Sequence, residues 1–274
     1  MTQSSCIRVG MGGWSYAPWR ETFYPQAVKQ KDELHYASRQ VTAIEVNSTF
    51  YRLQKPSVFA KWRDATPAGF VFAVKAPRFI VQRKVLADAG ESIERFIASG
   101  VVELGEKLGP ILWQLAPTHA FDAEDLTKFL QLLPQSAEGV SLRHALNVRH
   151  ASFASSDFLK LAREHGAAAV FEDDPQHPSF ADLTADFVYA RLRRSVASQN
   201  TGYSKVALGK WAKRAHEWAR GAEPKDLPYV QSVKTSRTKV RDVFVFFING
   251  AKERAPAAAC ELLAKLDAKV ARAK

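Results

Sequence analysis

Short apolar runs recur along the chain at residues 7–13, 42–47, 70–76, 110–115, 145–149, 167–172, 187–191 and 243–248, each ending in a polar or Gly/Pro-marked turn. Several are apolar at successive positions, the pattern of strands covered on both faces. Between most of them the apolar period lengthens to that of a helix. Asp122 is placed to cap a helix that carries Leu126, Phe129, Leu130 and Leu133 on one face, and Pro134 stops it. Ile93, Phe96, Ile97 and Leu104 form a second stripe after Ser92, and Phe158, Leu159 and Ala162 a third after Ser155 and Ser156, with Gly166 at its end. Leu208, Trp211, Ala212 and Ala215 precede Gly221, and the last helix has Pro256 in its first turn before Ala259, Leu262, Leu263, Leu266 and Val270.

Eight strands alternating with helices predict an α/β fold of the (β/α)8, or TIM-barrel, type. Residues 173–186 are too few for a full crossover helix, so the helix between strands six and seven is expected to be short or missing. Strand seven is followed by a long link with a polar loop at 195–203, a helix and a second loop at 222–241. No repeat, linker or low-complexity stretch divides the chain, which reads as a single domain over residues 1–274.

Composition narrows the class. A hydrophobic fraction of 46% in 274 residues is that of a globular chain with a large core. The two cysteines, Cys6 and Cys260, form no CxxC and read as reduced thiols. Residues 1–5 are polar and lack a signal-peptide core, and the apolar run 243–248 is too short to span a bilayer. A cytoplasmic protein with no membrane association is expected. The net charge of +11 favours anionic partners such as nucleic acid, phosphorylated metabolites or acidic surfaces, or else only keeps the protein soluble.

In such barrels the chemistry lies at the C-terminal ends of the strands. Those ends carry Trp14 and Ser15; Glu45, Asn47 and Tyr51; Lys75 and Arg78; Gln114; Arg149 and His150; Glu172, Asp173 and Asp174; Tyr189, Arg191 and Arg193; and Asn249. Glu45 and Glu172 are acid/base candidates, since apolar walls raise a carboxyl group toward working pH. Lys75 could serve as a Schiff-base lysine or an anion ligand. Arg149 and Arg191 suit a carboxylate or phosphate. His150 could be a base or a hydrogen-bonded structural residue, and Asp173-Asp174-Pro175 a turn or part of a metal site. For each of these the alternative is mutual neutralisation inside the barrel, but so many buried charges are costly unless paired or used.

No phosphate-binding loop, GxSxG elbow, HExxH or zinc spacing is present, and no metal is assigned. The basic run 234–241 precedes strand eight and should lie away from the mouth; Trp211 and Trp218, interleaved with basic residues, read as core packing under a basic outer face.

Several longer stretches resemble the YecE-like family, domain of unknown function 72. They are Gly12-Gly13-Trp14-Ser15-Tyr16 with Trp19 and Phe23-Tyr24-Pro25, Glu45-Val46-Asn47-Ser48-Thr49-Phe50-Tyr51-Arg52, Lys75-Ala76-Pro77-Arg78-Phe79, and Leu104 through Gln114. Arg149-His150 with Ser152-Phe153, residues 186–191 and residues 246–249 are similar to it as well. The resemblance implies a barrel over nearly the whole chain and brings no reaction with it. Asn147 stands where the family often has an acidic residue, Val81-Gln82 where Thr-His is usual, Phe153 for a Trp, Arg193 for a His and Ile248 for an Asn.

The leading expectation is an enzyme that acts on a small anionic substrate bearing a sugar or phosphate, with Glu45, Lys75 and Glu172 as catalytic groups and hydrolase or isomerase-like acid/base chemistry. Lys75, Arg149 and Arg191 would hold the anion, and Trp14 and Tyr51 would form aromatic walls. The alternatives are a nucleic-acid-binding or processing protein and a non-catalytic barrel that binds a metabolite or protein. Cofactor and oligomeric state are left unassigned.

Overall fold

The computed structural model describes residues 6–231 and 239–272, without the side chains of 268–272. Parallel strands β1 (Ile7–Gly12), β2 (Ala43–Val46), β3 (Val71–Lys75), β4 (Leu108–Gln114), β5 (His144–Asn147), β7 (Phe187–Leu192) and β8 (Asp242–Phe247) pair in the order β5-β4-β3-β2-β1-β8-β7. The sixth, β6, is in two pieces: Ala168–Ala169 pairs with β5 and Phe171–Asp173 with β7, so a nine-stranded sheet is rolled into a nearly closed barrel. The expected run 167–172 is thus broken at Val170, whose N–H donates to the Leu146 carbonyl at 3.0 Å while the chain turns from one neighbour to the other.

Helices α1 (Glu33–Ala37), α2 (Pro56–Ala65), α3 (Gly90–Ile97), α4 (Ala123–Leu132), α5 (Ser156–Glu164), α6 (Lys205–Ala219) and α7 (Ala255–Arg272) alternate with the strands. Their starts follow local chemistry. The Asp122 carboxylate accepts the N–H groups of Glu124 and Asp125 at 2.9 Å, Ser155 that of Phe158 at 3.2 Å and Ser204 that of Ala207 at 3.1 Å. Gly166, at φ +62°, lets the chain leave α5 in the left-handed region. Leu104 lies outside α3, in a 3-10 turn over Val101–Lys107, because the helix ends before Gly100 at φ +101°.

Between β6 and β7 no helix forms among the described residues. Side chains of this link tie it to its neighbours instead. Thr184 Oγ accepts from Ala169 N and donates to Ala167 O, both at 2.7 Å, and the Asp182 carboxylate accepts from Val230 N at 2.8 Å and Gln231 N at 2.9 Å. In the basic run, residues 234–238 lie outside the described residues; Lys239, Val240 and Arg241 lead into β8 at the end away from the mouth. No helix of the described residues is long and apolar enough to cross a membrane.

Two apolar layers form. The outer one lies between strands and helices and buries Trp19, Trp113, Trp211 and Trp218. The inner one fills the barrel, with Ala43, Ala73, Ala145 and Ala168 opposite Phe187, Tyr189, Phe244 and Phe246. Small side chains on one wall and large ones on the other pack the interior without a pore.

Candidate functional site

Strand alternation places the chemistry. Ala43, Ala73, Ala145, Val170 and Tyr189 point into the barrel, so Glu45, Lys75, Asn147, Glu172 and Arg191, two residues further on, point inward one layer nearer the mouth. On β4, Gln114 follows the inward Leu112 in the same way. Each of these six columns ends in a polar side chain, whereas β8 and the residue after it stay apolar inward through Phe244, Phe246 and Ile248.

Arg191, 2% exposed, organises this layer. Its Nε and Nη2 donate to the two Glu45 oxygens at 3.0 and 3.2 Å. Its Nη1 donates to Glu172 Oε1 at 2.8 Å, Asn147 Oδ1 at 2.7 Å and Gln114 Oε1 at 3.1 Å. The Tyr189 hydroxyl donates to Glu45 from below at 2.8 Å. Glu172 also receives Arg149 Nη2 at 2.9 Å and lies 3.4 Å from Arg193 Nη1. Burial acts to raise the Glu172 carboxyl, but Arg191, Arg149 and Arg193 outweigh it and hold it below its ordinary value. This corrects the expectation of a raised carboxyl at that position: apolar walls are present, but three guanidinium groups are closer. Both carboxylates are enclosed as counter-ions under the mouth.

Above them opens a cavity of about 310 Å³. Its charged lining consists of Lys75, Arg149, Arg191, Arg193 and Lys252, with no carboxylate among the lining residues. Asn47, Gln114 and Asn249 add amide groups and Tyr51 and Ile248 apolar surface, with the buried Trp19 and Phe247 at its border. Gly12 lies in the floor, where a Cβ would come within 2.9 Å of Ile248 Cδ1 and 3.0 Å of Asn47 Nδ2. The Lys75 ammonium sits 3.9 Å from the centre of the Phe50 ring. Burial and then the neighbouring Arg191 lower its pKa from 10.5 to about 8, against the opposing pull of Glu45. Lys252 lies over the Tyr16 ring at 4.5 Å, and burial lowers its pKa too.

The predicted residues divide. Asn47, Tyr51, Lys75, Gln114, Arg149, Arg191 and Asn249 line one cavity, while Glu45, Glu172 and Tyr189 form the layer beneath. Trp14, Ser15, Arg78 and His150 do not line the cavity. Trp14 packs edge-on against Trp62 at 5.2 Å and is not an aromatic wall, because its ring turns toward the outer apolar layer. Ser15 and Arg78 are exposed beyond the strand ends. His150 Nδ1 pairs with Ser152 Oγ at 2.8 Å and caps the turn Ala151–Phe153. Of the family departures, Arg193 and Ile248 line the cavity and Asn147 joins the buried layer, while Phe153 is core and Gln82 exposed. Trp19 and Lys252 were not anticipated. Trp19 was visible only as part of an aromatic cluster, and Lys252 follows β8 in a 3-10 turn with no strand pattern to mark it.

Glu172, Asp174 and His177 bring ligand atoms within 4.8 Å of one another. The Arg193 guanidinium already bonds Asp174 and approaches Glu172, and His177 Nδ1 pairs with Asp174 at 2.9 Å. Arg193 thus already neutralises two of these three groups.

Known proteins agree with the architecture. The chain is 29% identical over 140 residues to the UPF0759 protein YecE of Escherichia coli K12, a match over 50% of this chain and 48% of that protein. It therefore spans about half the length of the curated relatives it matches. A DUF72 family protein of Thermotoga maritima superposes with a TM-score of 0.73 at 23% identity, covering 96% of this chain and 99% of that one. A second, from Enterococcus faecalis, gives 0.70 at 17% identity over 95% of both chains. The family model described as protein of unknown function DUF72 matches residues 8–274, and the chain belongs to that family.

Proposed function

We propose that the barrel mouth binds and transforms a small anion bearing a carboxylate or phosphate. The observation that carries this reading is the lining of the cavity: Lys75, Arg149, Arg191, Arg193 and Lys252 face it with no carboxylate among them, in a space of about 310 Å³. That volume lies at the small end of ligand pockets. Glu45 and Glu172 neutralise the inner side of Arg191, so the excess positive charge is directed outward at an entering ligand. With both carboxylates engaged by arginine, proton transfer at the cavity falls to Lys75, which burial brings close to neutral pH.

The test is calorimetric titration with inorganic phosphate and with a sugar monophosphate. A guanidinium-to-anion bond contributes about 1.5–3 kcal/mol, so Arg149→Met should weaken binding about tenfold or more. Equal affinity in the wild type and the variant would overturn the reading. The nucleic-acid alternative rests on the net charge of +11. A steep salt slope for tRNA, unchanged by Arg149→Met, would transfer the function to the outer surface.

A further inference from the structure

We propose that Lys75 is a nucleophile that condenses with the carbonyl group of its ligand, so that the substrate class of the mouth is a small anion carrying an aldehyde or ketone. This rests on the anion-binding reading above and names the chemistry of the same cavity. Lys75 is the last residue of β3, is 8% exposed and lines the cavity. Its backbone is fixed by the Thr49 hydroxyl, which donates to the Lys75 carbonyl at 2.7 Å. Among the described residues no carboxylate lies within ion-pair distance of its Nζ, which sits over the Phe50 ring at 3.9 Å from the centroid. The other cavity cations of the inner layer are different: Arg191 and Arg149 are tied to Glu45 and Glu172, and Arg193 to Asp174.

An amine without a counter-ion among arginines loses its proton at little cost, and the arginines that disfavour its charge also hold the anionic end of a ligand. The charged groups acting on it are Arg191 from β7, Arg149 after β5, Glu45 from β2 and Glu172 from β6, while Phe50 covers it from the turn after β2. In the step, the neutral Nζ lone pair forms a C–N bond to the carbonyl carbon, and the carbonyl π pair moves to oxygen, which takes a proton from solvent. Nitrogen then loses one proton to solvent, and the hydroxyl, protonated in turn, departs as water. A protonated C=N bond to Lys75 remains, which can accept electrons from an adjacent breaking C–H or C–C bond. Lys252 is the competing amine. It sits on a 3-10 turn, against aromatic rings at 4.5 and 5.8 Å.

The full chain is incubated with pyruvate or dihydroxyacetone phosphate, reduced with borohydride, and mapped by peptide mass spectrometry. One adduct on the peptide containing Lys75 is expected, absent in Lys75→Arg, forming faster as pH rises through about 8, and suppressed by inorganic phosphate. Phosphate binding measured on the same sample separates the two readings. If phosphate binds but label appears at Lys252, is spread over surface lysines, or is absent, the Lys75 proposal fails and the anion site stands. If the Lys75 adduct forms and phosphate neither binds nor competes, the nucleophile stands and the anion reading fails. Neither binding nor adduct removes both. Because the adduct is mapped in the wild type, the result does not depend on the folding of a variant.

Discussion

Arg191 shows how one residue can decide what its neighbours do. It bridges two carboxylates that are 0% exposed, Glu45 and Glu172, and a guanidinium held by five oxygen contacts has no freedom to relax. Removing it leaves two buried negative charges with Arg149, Arg193, Tyr189 and the Asn147 amide as remaining partners. Arg191→Met is expected to destabilise the fold by about 3–5 kcal/mol, seen as a lower urea midpoint with an unchanged slope. A variant as stable as the wild type would mean that the layer is not ion-paired in solution. That Glu45, Glu172 and Arg191 stand at strand ends, where the mouth would form, was legible from the pattern of the chain. Their roles were not, since an apolar wall and a nearby guanidinium push a carboxyl in opposite directions and only the fold reveals which is nearer.

At the level of elements, β1 shows why a strand can need glycine. A Cβ at Gly10 would lie 1.8 Å from the Ala43 carbonyl oxygen and 2.6 Å from its carbon, both backbone atoms of β2 that cannot move without separating the strands. Gly209, within α6, has nothing within 4 Å of its Cβ position. Gly10→Ala should therefore cost about 3 kcal/mol or more by forced repacking, while Gly209→Ala should gain about 0.5–1 kcal/mol from helix propensity. Thermal melts of the two variants should move in opposite directions; movement in the same direction would contradict the close approach of β1 and β2. A short or missing helix after β6 was legible from length, because residues 173–186 are too few for a full crossover helix. The break at Val170 was not. Five consecutive apolar residues, 167–171, look like one strand, and the change of partner from β5 to β7 exists only where the sheet closes on itself.

Across the whole molecule, the net charge of +11 and the cationic lining of the mouth act in the same direction on an incoming anion. Screening shortens their reach from about 30 Å at 0.01 M salt to about 8 Å at physiological ionic strength. The association rate of phosphate should therefore fall about tenfold over that range, while an uncharged polyol shows no such slope. Stopped-flow mixing measures both, and a flat response for phosphate would disconnect the overall field from the site.

The chain by itself determined the alternation of strands and helices, the caps at Asp122 and Ser155, and the charged residues at the strand ends, because each depends on periods of a few residues. The structure decided which charges meet. Arg191 joins Glu45 across 146 residues of chain, and Lys252 reaches the same cavity as Lys75 from the other end of the sequence. Such pairings follow from sheet register and barrel closure. A local pattern can place a side chain on the inner face, but only the closed sheet sets its neighbours, and with them whether a lysine keeps a counter-ion or stands without one.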